Sequence, residues 1–405
     1  MLLRYVTLAL VAVIAGAAAV VQAPPSTLPL LVDGHVHITD RVYWEHIDPW
    51  TPQPVGPWDF ARAHDSGVNV IIENVAPYGY QTYNTTVKQT GRLIETFHRL
   101  LDANRNRMEL ALSASDVRRI VANGKFAVIL GVEAGFDQDG DVDILRLWYR
   151  LGVRLIQFSS QVTTAYADAG RGGARWQGIN DRGRLLIAEM NRLGIIIDIT
   201  HATEAAQRQI IQASRAPVVA SHVAMRALCN NPGNLSDDVL GALAMKGGLV
   251  GIHGGAANIS QRYFDWSRSH PPVSMNSLTL QDVVQAELPL VRSPTQDYGT
   301  YIEALDARMG GLWRQFHAQP WKDAADAELL VPTVDEFAEH VAHAVSIAGP
   351  THVGIGLDLV HGRSYLKNFD ARAYPRLVDA LKKRKIPSEV LGENWLSMLD
   401  AAKVQ

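Results

Sequence analysis

Residues 185–222 read LLIAEMNRLGIIIDITHATEAAQRQIIQASRAPVVASH, and this stretch decides the fold. Residues 185–193 and 204–214 carry apolar side chains at helical spacing, and short apolar runs at 194–201 and 216–222 alternate with them. Runs of this length that are rich in β-branched residues are typical of buried strands. Strand and helix in alternation predict a parallel sheet.

The same strand-like pattern occurs eight times along the chain. The eight runs span residues 31–37, 68–75, 126–133, 153–159, 194–201, 216–222, 248–253 and 353–358. Eight repeats of the unit predict an α/β protein with a closed (β/α)₈ barrel of the TIM type, built as a single domain over residues 24–405. The alternative is an open doubly wound sheet, which needs a glycine-rich first turn, and Asp33-Gly34-His35 is not such a turn.

Two connections in this pattern are long. Residues 76–123 follow the second predicted strand, and residues 254–351 follow the seventh. In a barrel, the connections after the strands build the catalytic face. Residues 254–351 are therefore a candidate lid or substrate wall.

The composition is that of an ordinary globular protein: 47% of the 405 residues are hydrophobic, 20% are charged and the net charge is −3. Charges of both signs are scattered, so there is no basic stripe for nucleic acid and no acidic tail for a cationic partner. The single cysteine, Cys229, excludes an intramolecular disulfide, and we expect it to be a small buried hydrophobic residue. The core alone must therefore hold the fold.

The first 23 residues have the layout of a secretory signal peptide. Arg4 is followed by an uncharged, almost wholly apolar run at 6–21, with small residues and prolines at 23–26. We predict cleavage near Ala23 and export to the periplasm or the medium. An uncleaved membrane anchor and a buried core helix stay as alternatives, although the run is short of the ~20 residues that span a bilayer. No cysteine follows the run, which excludes a lipoprotein.

Metal-capable or acid/base residues end five of the eight predicted strands. In chain order they are His35 and His37, Glu133, His201, His222 and Asp358. Each alone is more typical of packing or of a helix cap, but together they occupy the strand ends where barrel enzymes carry their chemistry. His35 and His37 point to one side because alternate residues of a strand share a face. The pattern therefore predicts a metal site.

Four histidines and one glutamate exceed the needs of one open tetrahedral site. They suit two ions, bridged by Glu133 and a water, that generate a hydroxide nucleophile at neutral pH and polarise a carbonyl. Asp358 then fits the acid/base that takes the proton of the water and passes it to the leaving group. His253 stays open between a site residue and a packing residue, while His340 and His343 are predicted as surface residues.

These motifs, in this order, resemble those of the membrane (renal) dipeptidase family, which are zinc-dependent peptidases of the amidohydrolase superfamily. The matching pieces are Asp33-Gly-His-Val-His37, Gly131-Val-Glu-Ala-Gly135, Asp198-Ile-Thr-His201, Ala220-Ser-His222, residues 229–240, Gly354-Ile-Gly-Leu-Asp358 and Leu391-Gly-Glu-Asn-Trp395. Each piece is weak alone, whereas the ordered set is specific and extends over nearly the whole chain after the predicted signal.

The resemblance implies a TIM-type barrel, two divalent ions of which zinc is the default, and hydrolysis of dipeptides or related amides. By position it assigns the first ion to His35 and His37, the second ion to His201 and His222, the bridge to Glu133 and catalysis to Asp358. Sites with such nitrogen and oxygen ligands also accept manganese, cobalt or iron.

Three positions depart from the family pattern. The family has aspartate at the position of His37, histidine at Ser160 and a substrate-binding arginine at Gly233. His37 keeps a metal ligand but removes one negative charge. The residues left to bind a substrate are Ser160, Arg226 and His253, with Arg171 and Arg175 as further cations. We therefore predict that unmodified dipeptides are poor substrates.

The predicted function is a binuclear metal-dependent hydrolase of dipeptides or related amides, or of esters. A lactonase or another ester hydrolase of the same superfamily is the first alternative, but those enzymes usually bridge their ions with a modified lysine on strand four, and residues 153–159 contain no lysine. A non-catalytic binding protein is the second alternative. It is disfavoured because every predicted metal-ligand position carries a residue that can bind a metal ion. The predicted partner is a small peptide or amide and not nucleic acid, while a homodimer stays open.

Overall fold

The computed structural model describes residues 29–54, 56–77, 83–133, 136–137, 139–159, 163–170, 172–270, 297, 300, 303–304, 307, 311, 328–359 and 365–402. Within them, nine strands form one sheet in which every pairing is parallel. The strands are β1 (Val32–Val36), β2 (Val70–Val75), β3 (Met108–Leu110), β4 (Phe126–Val132), β5 (Val153–Gln157), β6 (Ile196–Asp198), β7 (Val219–Val223), β8 (Leu249–Ile252) and β9 (Val353–Ile355).

Eight of these strands follow one another around a barrel, in the order β1-β2-β4-β5-β6-β7-β8-β9. The seam between β1 and β9 is joined by hydrogen bonds from the chain just after β9. Asp358 N donates to the carbonyl of His35 at 3.2 Å, and Leu357 N donates to Asp33 Oδ1 at 2.9 Å. The predicted (β/α)₈ fold is confirmed, and each of the eight predicted runs overlaps one barrel strand.

Helices cover the outside of the barrel. They are α1 (Ile38–Glu45), α2 (Phe60–Asp65), α3 (Tyr83–Ala103), α4 (Ala114–Ala122), α5 (Val142–Arg150), α6 (Asp181–Leu193), α7 (Glu204–Ala213), α8 (Asp237–Met245), α9 (Ala256–Ile259), α10 (Gln261–Ser269), α11 (Val334–Ala348), α12 (Tyr374–Lys383) and α13 (Glu393–Ala401). Several begin at residues that satisfy the first backbone N–H groups: Thr203 Oγ1 accepts from Ala206 N, and Thr333 forms a capping box with Glu336.

The long connection at 76–123 contains one element that the sequence did not reveal. Besides α3 and α4 it holds β3, which pairs with the outer edge of β4 and lies off the barrel path. Three residues are too few to show an alternating pattern, so this strand carries no sequence signal. Of the other long connection, 254–351, the structure describes mainly 254–270 and 328–351, and the predicted lid lies largely outside the described residues.

Trp395, on α13, packs against β1 and β9 beneath the site. Its indole Nε1 donates to the carbonyl of Ile355 at 3.0 Å. A Cβ at Gly34 would fall 2.1 Å from the Trp395 ring, and one at Gly354 would fall 2.6 Å from it. The glycine before His35 is therefore required by the close approach of this indole, which fixes the height of His35 in the barrel.

Residues 1–23, the predicted signal peptide, lie outside the described residues. In the part of the chain that the structure describes, none of the helices has the length and apolar character needed to cross a membrane.

Candidate metal centre

The six residues predicted to carry the chemistry come together at the C-terminal ends of the barrel strands. His35 and His222 lie in β1 and β7. His37 and Glu133 directly follow β1 and β4, and His201 and Asp358 lie three residues after the ends of β6 and β9. We call this set the strand-end ring; its members are His35, His37, Glu133, His201, His222 and Asp358. Five of the side chains are almost completely buried, and that of His201 is 25% exposed.

Glu133 lies at the centre of the ring. Its Oε2 is 2.7 Å from His35 Nε2 and 3.0 Å from His37 Nε2, while its Oε1 is 3.4 Å from His201 Nε2. Burial opposes ionisation of Glu133, but the facing imidazoles of His35 and His201 outweigh it and hold the pKa of this carboxyl well below its usual range. One carboxylate thus faces two groups of nitrogen atoms, as a bridging ligand must.

The Nε2 atoms of four ring histidines lie in two close pairs. His35 Nε2 lies 3.0 Å from His37 Nε2, and His201 Nε2 lies 3.1 Å from His222 Nε2. Burial, together with the charge of His35, lowers the pKa of His222 well below its ordinary value, which favours the neutral imidazole that a metal ion requires. Convergent lone pairs in a buried pocket fit divalent ions.

Two overlapping sets of ligand atoms lie close enough together to hold an ion. Among the described residues, His35, Glu133 and His222 form one set, and His35, His37 and Asp358 form the other. Within each set the ligand atoms all lie within 4.8 Å of one another. The donor atoms are imidazole nitrogens and carboxylate oxygens, the usual ligands of catalytic zinc.

A hydroxyl and a carboxylate behind the ring orient two of its histidines. Ser221 Oγ donates to Asp198 Oδ2 at 2.5 Å, and it lies 2.8 Å from His222 Nδ1 and 3.1 Å from His35 Nδ1. Because the serine proton is used by Asp198, Ser221 Oγ can accept from His222 Nδ1–H, which leaves the lone pair of this histidine on Nε2, toward the pocket. His35 Nδ1 lies within hydrogen-bonding distance of both Ser221 Oγ, at 3.1 Å, and the side-chain amide of Asn74, at 3.0 Å.

His37, which replaces the aspartate of the family pattern, is backed by a buried carboxylate. Its Nδ1 lies 3.5 Å from Asp40 Oδ2, and both side chains are buried. Burial alone would lower the pKa of His37, but Asp40 and Glu133 raise it well above its ordinary value. A carboxyl group thus lies beside His37, one layer further out from the ring, at Asp40.

Glu73 on β2 fixes the start of α1, directly after His37. Its carboxylate accepts from the backbone N–H of Ile38 at 3.1 Å and of Thr39 at 2.7 Å. Burial raises the pKa of Glu73 to about 7. A carboxylate from a neighbouring strand thus replaces the local N-cap that this helix lacks.

Two ring members adopt left-handed backbone conformations, with φ of 66° at His201 and 53° at Asp358. Non-glycine residues rarely adopt such values, and they persist where the surroundings hold them. Gly170 N donates to the carbonyl of His201 at 2.7 Å, and Tyr365 Oη donates to the carbonyl of Asp358 at 2.8 Å. These contacts turn both side chains into the ring.

The three residues predicted to bind a substrate have different outcomes. His253 is buried at the end of β8, and its Nε2 lies 3.3 Å from Asp358 Oδ2. Ser160 lies outside the described residues, as does Arg171. Arg175 is exposed on the surface and stacks over the ring of Trp176.

Arg226 is engaged by the protein itself. Its guanidinium pairs with Glu204 Oε2 at 2.7 Å and donates to the carbonyl of Asn234 at 2.7 and 3.0 Å. Contacting a substrate would require breaking these bonds. Gly233, which the resemblance aligns with the substrate-binding arginine of the family, is exposed and contributes no side chain.

One histidine prediction outside the ring is wrong. His340 is not a surface residue but is 2% exposed, because α11 packs against the segment after β7. Its Nδ1 accepts from Met225 N at 3.0 Å, and its Nε2 donates to the carbonyl of Ile259 at 3.0 Å. His343 lies nearer the surface and pairs with Asp237 at 2.9 Å.

Asp40, Glu73, Asp198 and Ser221 were not identified from the sequence as parts of the site. Asp198 and Glu73 did carry a signal, because an acidic residue inside an otherwise apolar strand is rarely buried without a partner. Asp40 and Ser221 carried none, since a polar residue beside a ligand is equally common at the surface.

A buried ring of imidazoles and carboxylates at the C-terminal strand ends of a parallel barrel is typical of metal-dependent barrel hydrolases. The family model described as membrane dipeptidase, peptidase family M19, matches residues 27–404. The chain belongs to this family, as its motifs predict.

Two curated relatives illustrate how far the likeness extends. Dipeptidase tcpJ of Claviceps purpurea is 25% identical over 323 residues, which are 78% of this chain and 60% of the relative. Dipeptidase 3 of Homo sapiens is 33% identical over 171 residues, which are 41% of this chain and 34% of the relative. The chain thus matches only part of the length of either protein.

Solved structures show the same fold at lower identity. The probable dipeptidase PvdM from Pseudomonas aeruginosa is 19% identical with a TM-score of 0.69, and the match covers 93% of this chain and 96% of that one. A metallo peptidase from Rhodobacter sphaeroides, solved with a phosphinate mimic of the dipeptide L-Ala-D-Ala, is 18% identical with a TM-score of 0.68 and coverage of 93% and 99%.

Proposed function

We propose that this protein is a binuclear metal-dependent hydrolase of amide bonds in dipeptides or related small molecules. The observation that carries the proposal is the position of Glu133, whose two oxygens face different groups of histidine nitrogens. His35 and His37 would hold one ion, His201 and His222 the other, and Glu133 would bridge them. When bound, two divalent ions, by default zinc, would lower the pKa of a water molecule between them and polarise the scissile carbonyl.

Asp358 supplies the acid/base chemistry in this proposal. Its Oδ1 lies 3.5 Å from His37 Nε2 and so faces the ring, within reach of a nucleophilic water or a leaving nitrogen there. Its buried position excludes bulk water, which strengthens electrostatic interactions with the reacting groups. Asp358 Oδ1 would accept one proton during attack and return it to the departing amine.

The substrate we propose lacks the free C-terminal carboxylate of an ordinary dipeptide. A carboxylate in a closed pocket needs a cationic partner, and arginine binds it bidentately. Gly233 offers no side chain at the family position, and Arg226 is held by Glu204 and the carbonyl of Asn234. An unpaired carboxylate taken from water costs on the order of several kcal/mol, which corresponds to several powers of ten in kcat/KM.

A comparison of L-Ala-L-Ala with its C-terminal amide tests this proposal, because the two differ only in the carboxylate. We expect protein that holds about two ions per chain to hydrolyse the peptide bond of the C-terminal amide in a metal-dependent reaction. The same protein should hydrolyse the free dipeptide slowly. N-acyl amino acids, L,D-dipeptides and lactones complete the panel. Protein that is active without bound metal would refute the binuclear site. Efficient cleavage of several free dipeptides, above ~10⁴ M⁻¹s⁻¹ in kcat/KM, would refute the proposed substrate class.

Gly233→Arg provides a second test of the substrate class. It places a guanidinium group at the position where the resemblance puts the substrate-binding arginine. A Cβ at Gly233 would meet only Asn231 Oδ1, at 3.4 Å, and the backbone there is not in the left-handed region, so a side chain is tolerated. We expect the variant to gain activity toward L-Ala-L-Ala but not toward the amide. Gly233→Gln, with similar bulk and no charge, is the matched control and should gain neither.

We also propose that the protein is exported and acts outside the cytoplasm. The charge at Arg4, the apolar run at 6–21 and the small residues around Ala23 support this. The mass of the protein recovered from its native host tests the proposal, with a mature N-terminus near residue 24 as the expected result. Recovery of a full-length, membrane-bound chain would instead support the uncleaved anchor.

A further inference from the structure

The hydrogen bonds around His253 determine which of its nitrogens carries the proton. Gly255 N donates to His253 Nδ1 at 2.8 Å, so the lone pair of Nδ1 is occupied and this nitrogen bears no hydrogen. A neutral imidazole has one protonated nitrogen, which here must be Nε2. His253 therefore presents an N–H group at Nε2, unlike a metal-binding histidine, which must present a lone pair.

This N–H faces the proposed catalytic carboxylate. His253 Nε2 lies 3.3 Å from Asp358 Oδ2, and the two residues are 3% and 4% exposed. The other oxygen, Asp358 Oδ1, faces His37 at 3.5 Å. The two oxygens thus have separate environments, one toward the strand-end ring and one toward a donor on β8.

We propose that His253 is a positioning residue for Asp358: its Nε2–H holds Oδ2 so that Oδ1 stays directed into the ring. The backbone of Asp358 is held by hydrogen bonds to His35 and Tyr365, whereas the orientation of its carboxylate depends on contacts of the side chain itself. A hydrogen bond to one oxygen restricts rotation about the last side-chain bond. The proposal rests on the proposed function, because it assigns the acid/base role to Asp358.

The same geometry distinguishes this role from metal binding. A ligand would need Nε2 unprotonated. The backbone of Gly255 selects the donor form of the ring. His253 therefore links the loop after β8 to the acid/base residue after β9.

Two substitutions separate the observed hydrogen bond from Gly255 to His253 from the proposed hydrogen bond between His253 and Asp358. In His253→Gln the amide nitrogen can take the place of Nε2 and still donate to Asp358, while the bond from Gly255 is lost. In His253→Asn the amide oxygen can take the place of Nδ1 and accept from Gly255, while the donor to Asp358 is lost. We expect the asparagine variant to lose roughly 10- to 100-fold in kcat with little change in KM, as for a misplaced catalytic group. The glutamine variant should keep most of the kcat.

A spectroscopic measurement tests the hydrogen bond without relying on turnover. In protein with ¹⁵N-labelled histidine, the Nε2 proton of His253 should give a protected downfield NMR signal, assigned by its absence from His253→Asn. Asp358→Asn removes the charged acceptor, so the signal should move upfield or disappear through exchange. Metal-free protein can be used, which makes the result independent of the bound ions.

The outcomes separate this inference from the proposed function. Normal kcat in His253→Asn, an equal loss in both variants with metal content intact, or a signal unaffected by Asp358→Asn would each overturn the positioning role. A wild-type protein that hydrolyses no amide or ester would instead overturn the proposed function, while the NMR signal would still decide whether the His253–Asp358 pair exists.

Discussion

The strand-end ring and the segment that follows β7 use their polar side chains in opposite ways. In the strand-end ring, nitrogen and oxygen atoms converge on one another, as His201 Nε2 and His222 Nε2 do at 3.1 Å. In residues 224–235, which follow β7 directly, polar side chains instead contact backbone atoms. Asn234 Nδ2, for example, donates to the carbonyls of Cys229 and Asn258 at 2.9 and 2.8 Å.

The difference shows how a ligand site can be told from a structural polar cluster. Buried polar atoms are normally satisfied by the protein. Residues 224–235 follow that rule, and their side chains hold a loop together. The strand-end ring leaves several imidazole nitrogens facing each other, an arrangement that becomes favourable when a cation lies between them.

The largest effect is expected from removing a ring nitrogen. His222→Ala should reduce the bound metal from about two ions per chain to one or none, and turnover should fall to background because the second ion loses a ligand. Elemental analysis of dialysed protein measures this directly. His343→Ala, which removes a histidine paired with Asp237 outside the ring, is the matched control and should keep its metal. Two tightly bound ions in His222→Ala would place the metal site elsewhere.

Asp358→Asn should separate catalysis from metal binding within the ring. Asparagine tolerates the left-handed conformation that Asp358 adopts at φ 53°, so the backbone is preserved. The amide cannot accept a proton, and kcat should fall by ~10²–10⁴-fold. Metal content and kcat are measured on the same sample. Near-normal kcat with both ions bound would show that Asp358 is structural and that another group carries the proton.

The fold and the ring could be predicted because both depend on local patterns. Apolar runs of strand length recur eight times, and parallel strands in a barrel place all their C-terminal ends on one face. Knowing that His222 and Asp358 end such runs is therefore enough to place them together, although 136 residues separate them in the sequence.

The partners of these residues could not be predicted in the same way. The contacts of Asp40 with His37 and of Ser221 with His35 depend on distances within a few tenths of an ångström, which no periodicity encodes. The burial of His340 depends on how α11 docks against residues 224–235, a tertiary contact across more than 100 residues. Sequence pattern predicts which face a residue lies on, but not what meets it there.

The pH dependence of stability tests the contact between His340 and residues 224–235. Burial lowers the pKa of His340 to about 4, from an ordinary value of 6.5. Its folded pKa is therefore below its unfolded pKa, so its contribution to stability is complete above pH 6.5 and is lost as the pH falls toward 4. A shift of this size corresponds to roughly 3–4 kcal/mol.

The variant His340→Gln should remove that pH dependence. Glutamine can still donate to the carbonyl of Ile259 but cannot be protonated. Urea unfolding of metal-free protein between pH 7 and pH 4 should show a smaller loss of stability in the variant than in the wild type. Metal-free samples are used because ion release at low pH would otherwise dominate. Parallel curves for the two proteins would show that His340 is not a determinant of acid stability.

The smallest effect is expected from replacing Arg226. The result tests whether Arg226 is a structural residue of the loop 224–235 or a substrate-binding residue. Its guanidinium holds the carbonyl of Asn234 and the carboxylate of Glu204, and both charged side chains are about one third exposed. Solvent screening limits the ion pair, so Arg226→Ala should lower the free energy of unfolding by only about 1 kcal/mol. KM for the best substrate should stay unchanged, because the side chain is engaged in the loop.

Glu204→Gln is the matched control: it weakens the ion pair but keeps the arginine, and it should destabilise the protein less. A tenfold rise in KM for Arg226→Ala without loss of stability would mean that the arginine leaves Glu204 to bind the substrate. In that case residues 224–235 would not be purely structural, because one of them would take part in substrate binding.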